Sequence, residues 1–361
     1  MRVRPVLLSV GVMTALLGAA MIPCALIDII DRSPQWPVFA ISAFLSILAG
    51  AILTILSRGD AKETGQREAF FLTVLVWVVL PLVAAFPIAA SGASITDAVF
   101  ESVSGLTTTG ATVLTALEDS PRGLLLWRGI LQWYGGIGII VTAIAILPSL
   151  RVGGMQLFQL ESSDQSGKFL PRVTEIATQT GFVYLALSVA CGFLYALSGM
   201  KGFDAVVHAM TTVSAGGYST TDLSFQEAAS ASKNVAIVFM ILASLPFAAF
   251  VLMARGQPRA LWGDPQARLL LAIIVAATVG LLIYNGVGPG GAVFENGGDA
   301  VQSTLFNVVA VITGTGYASE NYAAWGDGAT SIFIMLMFFG GCAGSAACGF
   351  KMFRLEISAK A

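Results

Sequence analysis

Three short segments of the chain combine threonine, serine and glycine in a pattern that could bind a dehydrated cation. Each is an uncharged stretch, and the three stretches align as copies of one another. Glycine permits backbone angles that turn several successive carbonyl oxygens toward one axis. Rings of such carbonyls replace the hydration shell of the ion in cation filters. The stretches are 102–117, 205–221 and 300–319, and their matching glycines are Gly110, Gly217 and Gly316.

An aspartate opens each segment and predicts a short helix ahead of the glycine. Asp97, Asp204 and Asp299 are each followed by Ala-Val, and aspartate is a favoured helix N-cap. The C-terminal end of such a half-helix is partially negative and favours a cation. The alternative is that the small residues only pack helices together. Three copies in register favour the cation filter.

The composition predicts that membrane helices hold these segments. Hydrophobic residues make up 56% of the chain and charged residues only 11%, against about 25% charged in soluble domains. A helix needs about 20 apolar residues to cross a bilayer. We therefore predict an all-α polytopic membrane protein with about eight transmembrane helices. The uncharged runs are 5–27, 33–57, 69–96, 129–150, 176–200, 234–254, 269–294 and 328–350.

The first of these runs follows Arg2 and Arg4, as the apolar part of a signal peptide would. The run is longer than the apolar region of a signal peptide, which usually has about 7 to 15 residues. Ile22-Pro23-Cys24 is also not a small-x-small cleavage site. We therefore predict a membrane helix there.

Few residues are available for catalysis or metal chemistry. With one histidine and four cysteines, all four inside apolar runs, zinc sites and disulfide frameworks are not expected. The sequence has no motif of an intramembrane protease and no Gly-x-Gly-x-x-Gly or Walker motif for a nucleotide. We predict a protein that is not an enzyme, with buried cysteines. These residues are His208, Cys24, Cys191, Cys342 and Cys348.

The charged residues predict an orientation. Most of the 19 lysines and arginines fall in loops on the side of the N-terminus, and cytoplasmic loops retain such an excess. Arg122 and Arg128 are among the few assigned to the outer loops. Both termini are therefore predicted to be cytoplasmic. Most acidic residues fall on the outer side, where they would concentrate cations.

Five motifs resemble the Trk/Ktr/HKT superfamily of potassium transporters, and specifically its bacterial TrkH/TrkG-like pore subunits. In that family four units, each a helix, a re-entrant pore helix with a filter loop, and a second helix, surround a central pore. The motifs are FESVSGLTTTGATVL at 100–114, WRGILQWYGGIGIIV at 127–141, HAMTTVSAGGYSTTD at 208–222, VITGTGYAS at 311–319 and GGCAGSAACGFKMFR at 340–354.

The resemblance implies an N-terminal helix pair at 1–62 and pore repeats at 63–150, 151–256 and 257–361. A fourth repeat is expected to be absent. The implied function is potassium uptake across the cytoplasmic membrane. The alternative is a non-conducting fragment or subunit that needs a further chain to complete the pore.

The resemblance also implies which residues would bind the ion and which would gate its path. Glycine at all three filter positions looks like the potassium-selective pattern. In the gate, Ala346 and Cys348 replace the family's threonine and glycine. The expected filter residues are Thr107, Thr108, Thr109, Gly110, Ser214, Ala215, Gly216, Gly217, Thr313, Gly314, Thr315 and Gly316. The expected gate residues are Gly340, Gly341, Gly344, Ser345, Gly349 and Lys351.

Four polar residues have alternative roles. Lys351 is either a gate charge that repels cations or an anchor that snorkels to the interface. His208 is expected to be structural rather than proton-coupling. Glu101 and Asn307 occupy the matching positions, and all three are expected to hold pore helices against their neighbours.

The remaining expectations concern partners and location. The resemblance implies a multi-pass protein of the inner membrane, a homodimer in the lipid bilayer, with potassium as its substrate and no organic cofactor. It also implies a cytosolic, nucleotide-binding, TrkA-like ring that contacts the basic loops near Arg151 to Arg172 and Arg255 to Arg268. No nucleic acid is expected. Channel flux and proton-coupled symport both stay open.

Overall fold

The computed structural model describes residues 3–59, 66–145, 169–287 and 297–360, and every regular element in these ranges is a helix. The predicted repeat boundaries at 62/63 and 150/151 lie outside the described residues. So do several charges used for the orientation, among them Arg2, Lys62, Arg151, Lys168 and Glu295. The boundary at 256/257 stays a prediction.

The described helices fall into two compact units. The first unit comprises Met1–Leu106 and Ala111–Leu131. It contains five helices and the beginning of a sixth: α1 (Val3–Ala20), α2 (Ile22–Ile30), α3 (Trp36–Leu56), α4 (Gln66–Ala90), α5 (Ile95–Leu106) and α6 (Arg122–Ala145).

Glycines allow α1 and α3 to pack closely within the first unit. A Cβ atom on Gly50 would meet the carbonyl oxygen of Gly11 and the backbone of Ala15. Small residues that let two backbones approach are a common way to pack helices in a membrane, where lipid tails compete for ordinary apolar contacts. This contact therefore favours a tightly joined N-terminal helix pair.

The second unit comprises Thr107–Gly110, the remainder of α6 from Gln132, and the described residues that follow it. Its core is aromatic, and the rings of Phe225 and Tyr317 lie 4.6 Å apart. Its helices are α7 (Phe169–Leu197), α8 (Gly202–Val213), α9 (Ser230–Ser244), α10 (Phe247–Ala254), α11 (Arg259–Trp262), α12 (Pro265–Val287), α13 (Gly297–Ile312), α14 (Asp327–Leu336) and α15 (Met352–Lys360).

Five segments of the described residues are long and apolar enough to cross a membrane. A sixth span is formed if α9 and α10, which meet at 93°, are counted as one. Large apolar side chains such as Phe44 and Phe182 are exposed on these helices, as expected of surfaces that face lipid. The five segments are Val3–Ile30, Trp36–Leu56, Phe70–Ala90, Ala177–Leu197 and Pro265–Gly286.

The two other predicted runs differ from each other. The described part of run 129–150 is continuous helix, since it lies in α6 as far as Ala145, and the remainder of the run lies outside the described residues. Run 328–350 is helical only as far as Leu336, because the glycine-rich sequence beyond it adopts an irregular loop. The protein is thus an all-helical membrane protein, in which three shorter helices, α5, α8 and α13, end at the three predicted filter segments.

Candidate functional site: three glycine loops and an irregular helix break

The three predicted filter segments share one backbone conformation. We call them the glycine loops: residues 107–110, 214–217 and 313–316. In each loop two residues, separated by one, have left-handed angles. The first is Thr108, Ala215 or Gly314, with φ of 55°, 53° and 74°, and the second is Gly110, Gly217 or Gly316, with φ of 80°, 75° and 77°.

Left-handed angles at non-glycine residues are uncommon and unfavourable. Thr108 and Ala215 nevertheless adopt them at positions equivalent to Gly314. The three loops therefore share an unusual backbone conformation at equivalent positions, which indicates that they have the same role.

Equivalent hydrogen bonds tie the second and third loops to their helices. Gly217 donates its backbone N–H to the carbonyl of Thr211 at 3.3 Å, and Gly316 donates to Ala310 at 3.0 Å. These carbonyls belong to the last turns of α8 and α13, which have no partners within their own helices. Each loop thus satisfies the end of the helix that precedes it.

The three loops, all within the second unit, follow one another with a repeated contact. A Cβ atom on Gly110 would collide with the carbonyl oxygen of Gly216, and one on Gly217 would collide with that of Thr315. Gly216 and Thr315 are equivalent positions. Among the described residues, no atom lies within 4 Å of a Cβ atom on Gly316. The contact therefore joins the first loop to the second and the second to the third.

A tyrosine behind the loops links two of the repeats. Tyr317 directly follows the third loop and is 1% exposed. Its hydroxyl hydrogen-bonds those of Thr211 and Thr212 on α8. Tyr317 was not among the predicted site residues. The signal that could have indicated it is the tyrosine that directly follows the loop glycine in two of the repeats, Tyr218 after Gly217 and Tyr317 after Gly316.

Glu101, His208 and Asn307 contact the segment that follows their own loop. Glu101 Oε1 accepts a hydrogen bond from the backbone N–H of Val113 at 2.7 Å. His208 Nε2 lies 3.1 Å from Ser219 Oγ, and Asn307 Oδ1 accepts from Ser319 N at 3.2 Å. Each of these side chains therefore connects the two ends of one helix-and-loop segment. Glu101 also makes the expected contact with a neighbouring helix, because its carboxylate pairs with Arg128 on α6.

The environment of His208 favours its neutral form. The side chain is buried, and burial lowers the pKa of His208. Its Nδ1 lies 2.8 Å from the carbonyl oxygen of Asp204, which places the proton on Nδ1 and leaves Nε2 to accept from Ser219.

Two arginines assigned to outer loops have different environments. Arg128 is 1% exposed, and its Nε lies 3.3 Å from Oε2 of the fully buried Glu101. It also donates to Thr112 Oγ1 at 3.0 Å. Arg122 pairs with Asp31 at the surface, and its hydrogen bond lowers the pKa of Asp31. The loop assignment therefore misplaces Arg128, which lies in the core because Glu101 neutralises it.

The predicted gate is an irregular stretch at 337–351, between α14 and α15. We call it the break loop. It packs against the sharp bend between α9 and α10. Cys342 N donates to Ser244 O at 2.9 Å, Ala346 N to Ala243 O at 3.1 Å, and Phe247 N to Gly344 O at 3.1 Å. The bend and the break loop thus provide hydrogen-bond partners for each other's backbone groups.

Cys348 brings the break loop to the glycine loops. Its Sγ lies 4.0 Å from Thr108 Oγ1, and its Cβ lies 3.2 Å from where a Cβ atom on Gly314 would be. The prediction of a buried thiol holds for Cys24, Cys191 and Cys342 but is wrong for Cys348, which is exposed. Cys342 lies in the same loop but is buried, because its backbone packs against the bend between α9 and α10.

Lys351 lies at the end of the break loop. Its Nζ donates a hydrogen bond to the carbonyl of Ala347 in the same loop. Apart from this amine, the polar groups of the break loop are backbone amides and carbonyls, the hydroxyl of Ser345 and the thiols of Cys342 and Cys348. Within the described ranges, no three His, Cys, Asp or Glu side chains form a metal-binding group.

The fold and these loops define a class of protein: an all-helical, multi-pass membrane protein with three short helices that end in glycine loops of one backbone conformation. The family model for TrkH, described as a cation transport protein, matches residues 35–360. The chain belongs to this family, whose members are transporters and not enzymes.

Individual relatives agree with this assignment. The Trk system potassium uptake protein TrkI of Halomonas elongata is 40% identical over 361 residues, which are 99% of this chain and 72% of that protein. TrkG of Escherichia coli is 31% identical over 98% of this chain and 74% of its own length. The crystal structure of the potassium transporter TrkH from Vibrio parahaemolyticus superposes with a TM-score of 0.89 at 32% identity, covering 99% of this chain and 75% of that one.

Proposed function

We propose that this chain takes up potassium across the cytoplasmic membrane, and that the glycine loops form its selectivity filter. The observation that carries the proposal is the paired left-handed residues, repeated in register in all three loops. The relatives described above are potassium uptake proteins by name. The oxygens of the twelve residues assigned to the filter would replace the hydration shell of the ion.

The break loop is proposed as the gate. The contacts of Cys348 with the first and third glycine loops support this role, because they bring the break loop next to the proposed filter. Irregular backbone is tolerated at membrane depth where it lines a cavity or is buried in protein. A gate charge at Lys351 and an interfacial anchor remain the two alternatives for that residue.

A second candidate function is that of a subunit whose pore is completed by a further chain. The specific observation is that Gly316 lacks, among the described residues, the neighbouring carbonyl that Gly110 and Gly217 have. In this arrangement another polypeptide would supply the missing contact.

Flux measurements separate the two candidates. The purified chain is reconstituted alone in liposomes, and potassium-driven uptake of rubidium is measured against empty liposomes. We expect uptake that potassium inhibits better than sodium. Uptake at the level of empty liposomes, with uptake restored only by a co-reconstituted partner, would replace autonomous transport by the second candidate.

The proposed partners are a second copy of this chain and a cytosolic ring that binds nucleotide. The described part of the predicted contact includes Arg255, Arg259 and Arg268, around the short helix α11. Reversing these three charges is expected to abolish co-purification with such a ring while leaving the dimer intact. Unchanged co-purification would exclude this surface.

A further inference from the structure

Gln132 on α6 holds the backbone of the second glycine loop from both sides of Gly217. Its side chain is fully buried. Nε2 donates to the carbonyl oxygen of Gly216 at 2.6 Å, and Oε1 accepts from the backbone N–H of Tyr218 at 3.0 Å. Neither the repeats nor the family motifs assigned Gln132 a role.

The primary amide is suited to this position because it offers a donor and an acceptor on one side-chain group, as Gly216 O and Tyr218 N require. A buried amide is unfavourable unless both of its polar atoms are hydrogen-bonded. Gly136, one turn further along α6, comes so close to Ser214 that a Cβ atom there would overlap it. Helix α6 is therefore pressed against the second loop, and Gln132 is held by its helix and not by a mobile segment.

The carbonyl that Gln132 holds is the one that faces the first glycine loop. Gly216 O is the atom with which a Cβ on Gly110 would collide, and Gln132 Nε2 lies 3.8 Å from the same Cβ position. A change at Gln132 would therefore act on two loops together.

We propose that Gln132 is a positioning residue that sets the preference for potassium over sodium. The inference rests on the proposed function, in which the glycine loops bind the ion. Selectivity in carbonyl filters depends on the spacing of the oxygens and on their field strength. A hydrogen bond from Gln132 fixes the position of Gly216 O and draws electron density from it. Both effects favour the larger cation, because a free carbonyl could move inward and bind sodium more strongly.

The test uses the purified full chain and two substitutions. Gln132→Met removes both hydrogen bonds at nearly constant length. Gln132→Glu keeps the acceptor for Tyr218 N but places an acceptor against Gly216 O. The matched control is Gln302→Met on α13, because Gln302 also donates to a backbone carbonyl, that of Ser230 at 2.9 Å, outside the glycine loops.

The readout is the ratio of the apparent affinities for potassium and sodium, taken from the ion dependence of the thermal unfolding of each variant. Losing one hydrogen bond of ordinary strength predicts about a fivefold fall in this ratio. We expect that fall in Gln132→Met and Gln132→Glu, and an unchanged ratio in Gln302→Met. If Gln132→Met does not fold, the affinity ratio of Gln132→Glu is used to test the proposal.

The two proposals fail in different ways. A wild-type chain that prefers potassium, with Gln132 variants whose ratio stays within about twofold of it, overturns the role of Gln132 and leaves the filter in place. A wild-type chain whose unfolding does not distinguish potassium from sodium overturns the filter, and the role of Gln132 with it.

Discussion

At the residue scale, the glycine loops contain backbone strain at defined positions. Thr108 and Ala215 have left-handed angles that cost an ordinary residue about 1–2 kcal/mol. Such strain persists only where the surroundings fix the backbone, and it is concentrated at functional sites. Here the surroundings include the hydrogen bond from Gln132 to Gly216 and the one between Tyr317 and Thr211.

Gly110→Ser tests the first loop. The new side chain would combine an unfavourable φ of 80° with a collision against Gly216 O, so the loop must move and its oxygens must lose their spacing. We expect sodium to compete with potassium in a complex that conducts, measured as the ratio of the two uptake rates.

The matched control for this test is Gly92→Ser. Gly92 has a φ of 111° with open space around it, so the substitution strains the backbone without touching a glycine loop. An unchanged potassium-to-sodium ratio in Gly110→Ser would remove Gly110 from the filter.

The buried pair of Arg128 and Glu101 is predicted to matter for stability. Arg128→Met leaves a buried carboxylate without its charge partner, which costs about 3–5 kcal/mol. Thermal unfolding in detergent should therefore show a large loss of stability. The double variant Arg128→Met with Glu101→Gln should regain part of it, since the unpaired charge is gone.

Arg122→Met is the control for that experiment. Arg122 pairs with Asp31 at the surface, where ion pairs contribute little. Equal destabilisation by Arg122→Met and Arg128→Met would show that burial of the pair is not the reason for the effect.

At the scale of elements, two broken helices stabilise each other. The bend between α9 and α10 leaves the carbonyls of Ala243 and Ser244 without helical partners, and the break loop supplies donors to both. Unsatisfied groups of this kind would be strongly unfavourable in lipid. The break loop is therefore part of the packing of the second unit as well as the proposed gate.

Deleting 343–347 from the break loop should raise potassium flux through a completed, folded complex. The deletion shortens the segment that lies against the glycine loops, but it also removes a donor to Ala243. Cys348→Gly is the gentler variant, because it removes only the side chain that contacts Thr108 and the Gly314 region. Unchanged flux in both variants, with the folded protein at normal levels, would place the gate elsewhere.

At the scale of the whole molecule, the charge distribution predicts which ends of the helices face the cytoplasm. Gly59 and Gly256 are exposed and lie at predicted inner ends, while the exposed Gly199 lies at a predicted outer end. Single cysteines at these positions, in a Cys348→Ala background, test the orientation with a reagent that does not cross membranes.

We expect the reagent to label Gly199→Cys in intact cells and to label Gly59→Cys and Gly256→Cys only after the membrane is opened. The Cys348→Ala background is needed because Cys348 is exposed and would itself react with the reagent. The other three native thiols are buried and can be kept. Labelling of Gly59→Cys from outside would reverse the orientation.

The all-helical membrane class, the three similar segments and the family could be predicted from the amino-acid sequence, because each depends on composition or on local motifs. The positions of Gly110, Gly217 and Gly316 followed from the repeat alone. The break at 340–349 was also visible, since several glycines in an apolar run disfavour a continuous helix.

The side chains that support these segments could not be predicted from the sequence, because their contacts depend on how the helices pack. Gln132 contacts residues far along the chain, and nothing in the apolar motif around it distinguishes a buried amide from a solvated one. Arg128 looked like a loop charge because its partner Glu101 lies on another helix. Cys348 looked like a packed thiol because burial depends on what a loop faces, and that is set by the packing of α9 and α10 against it.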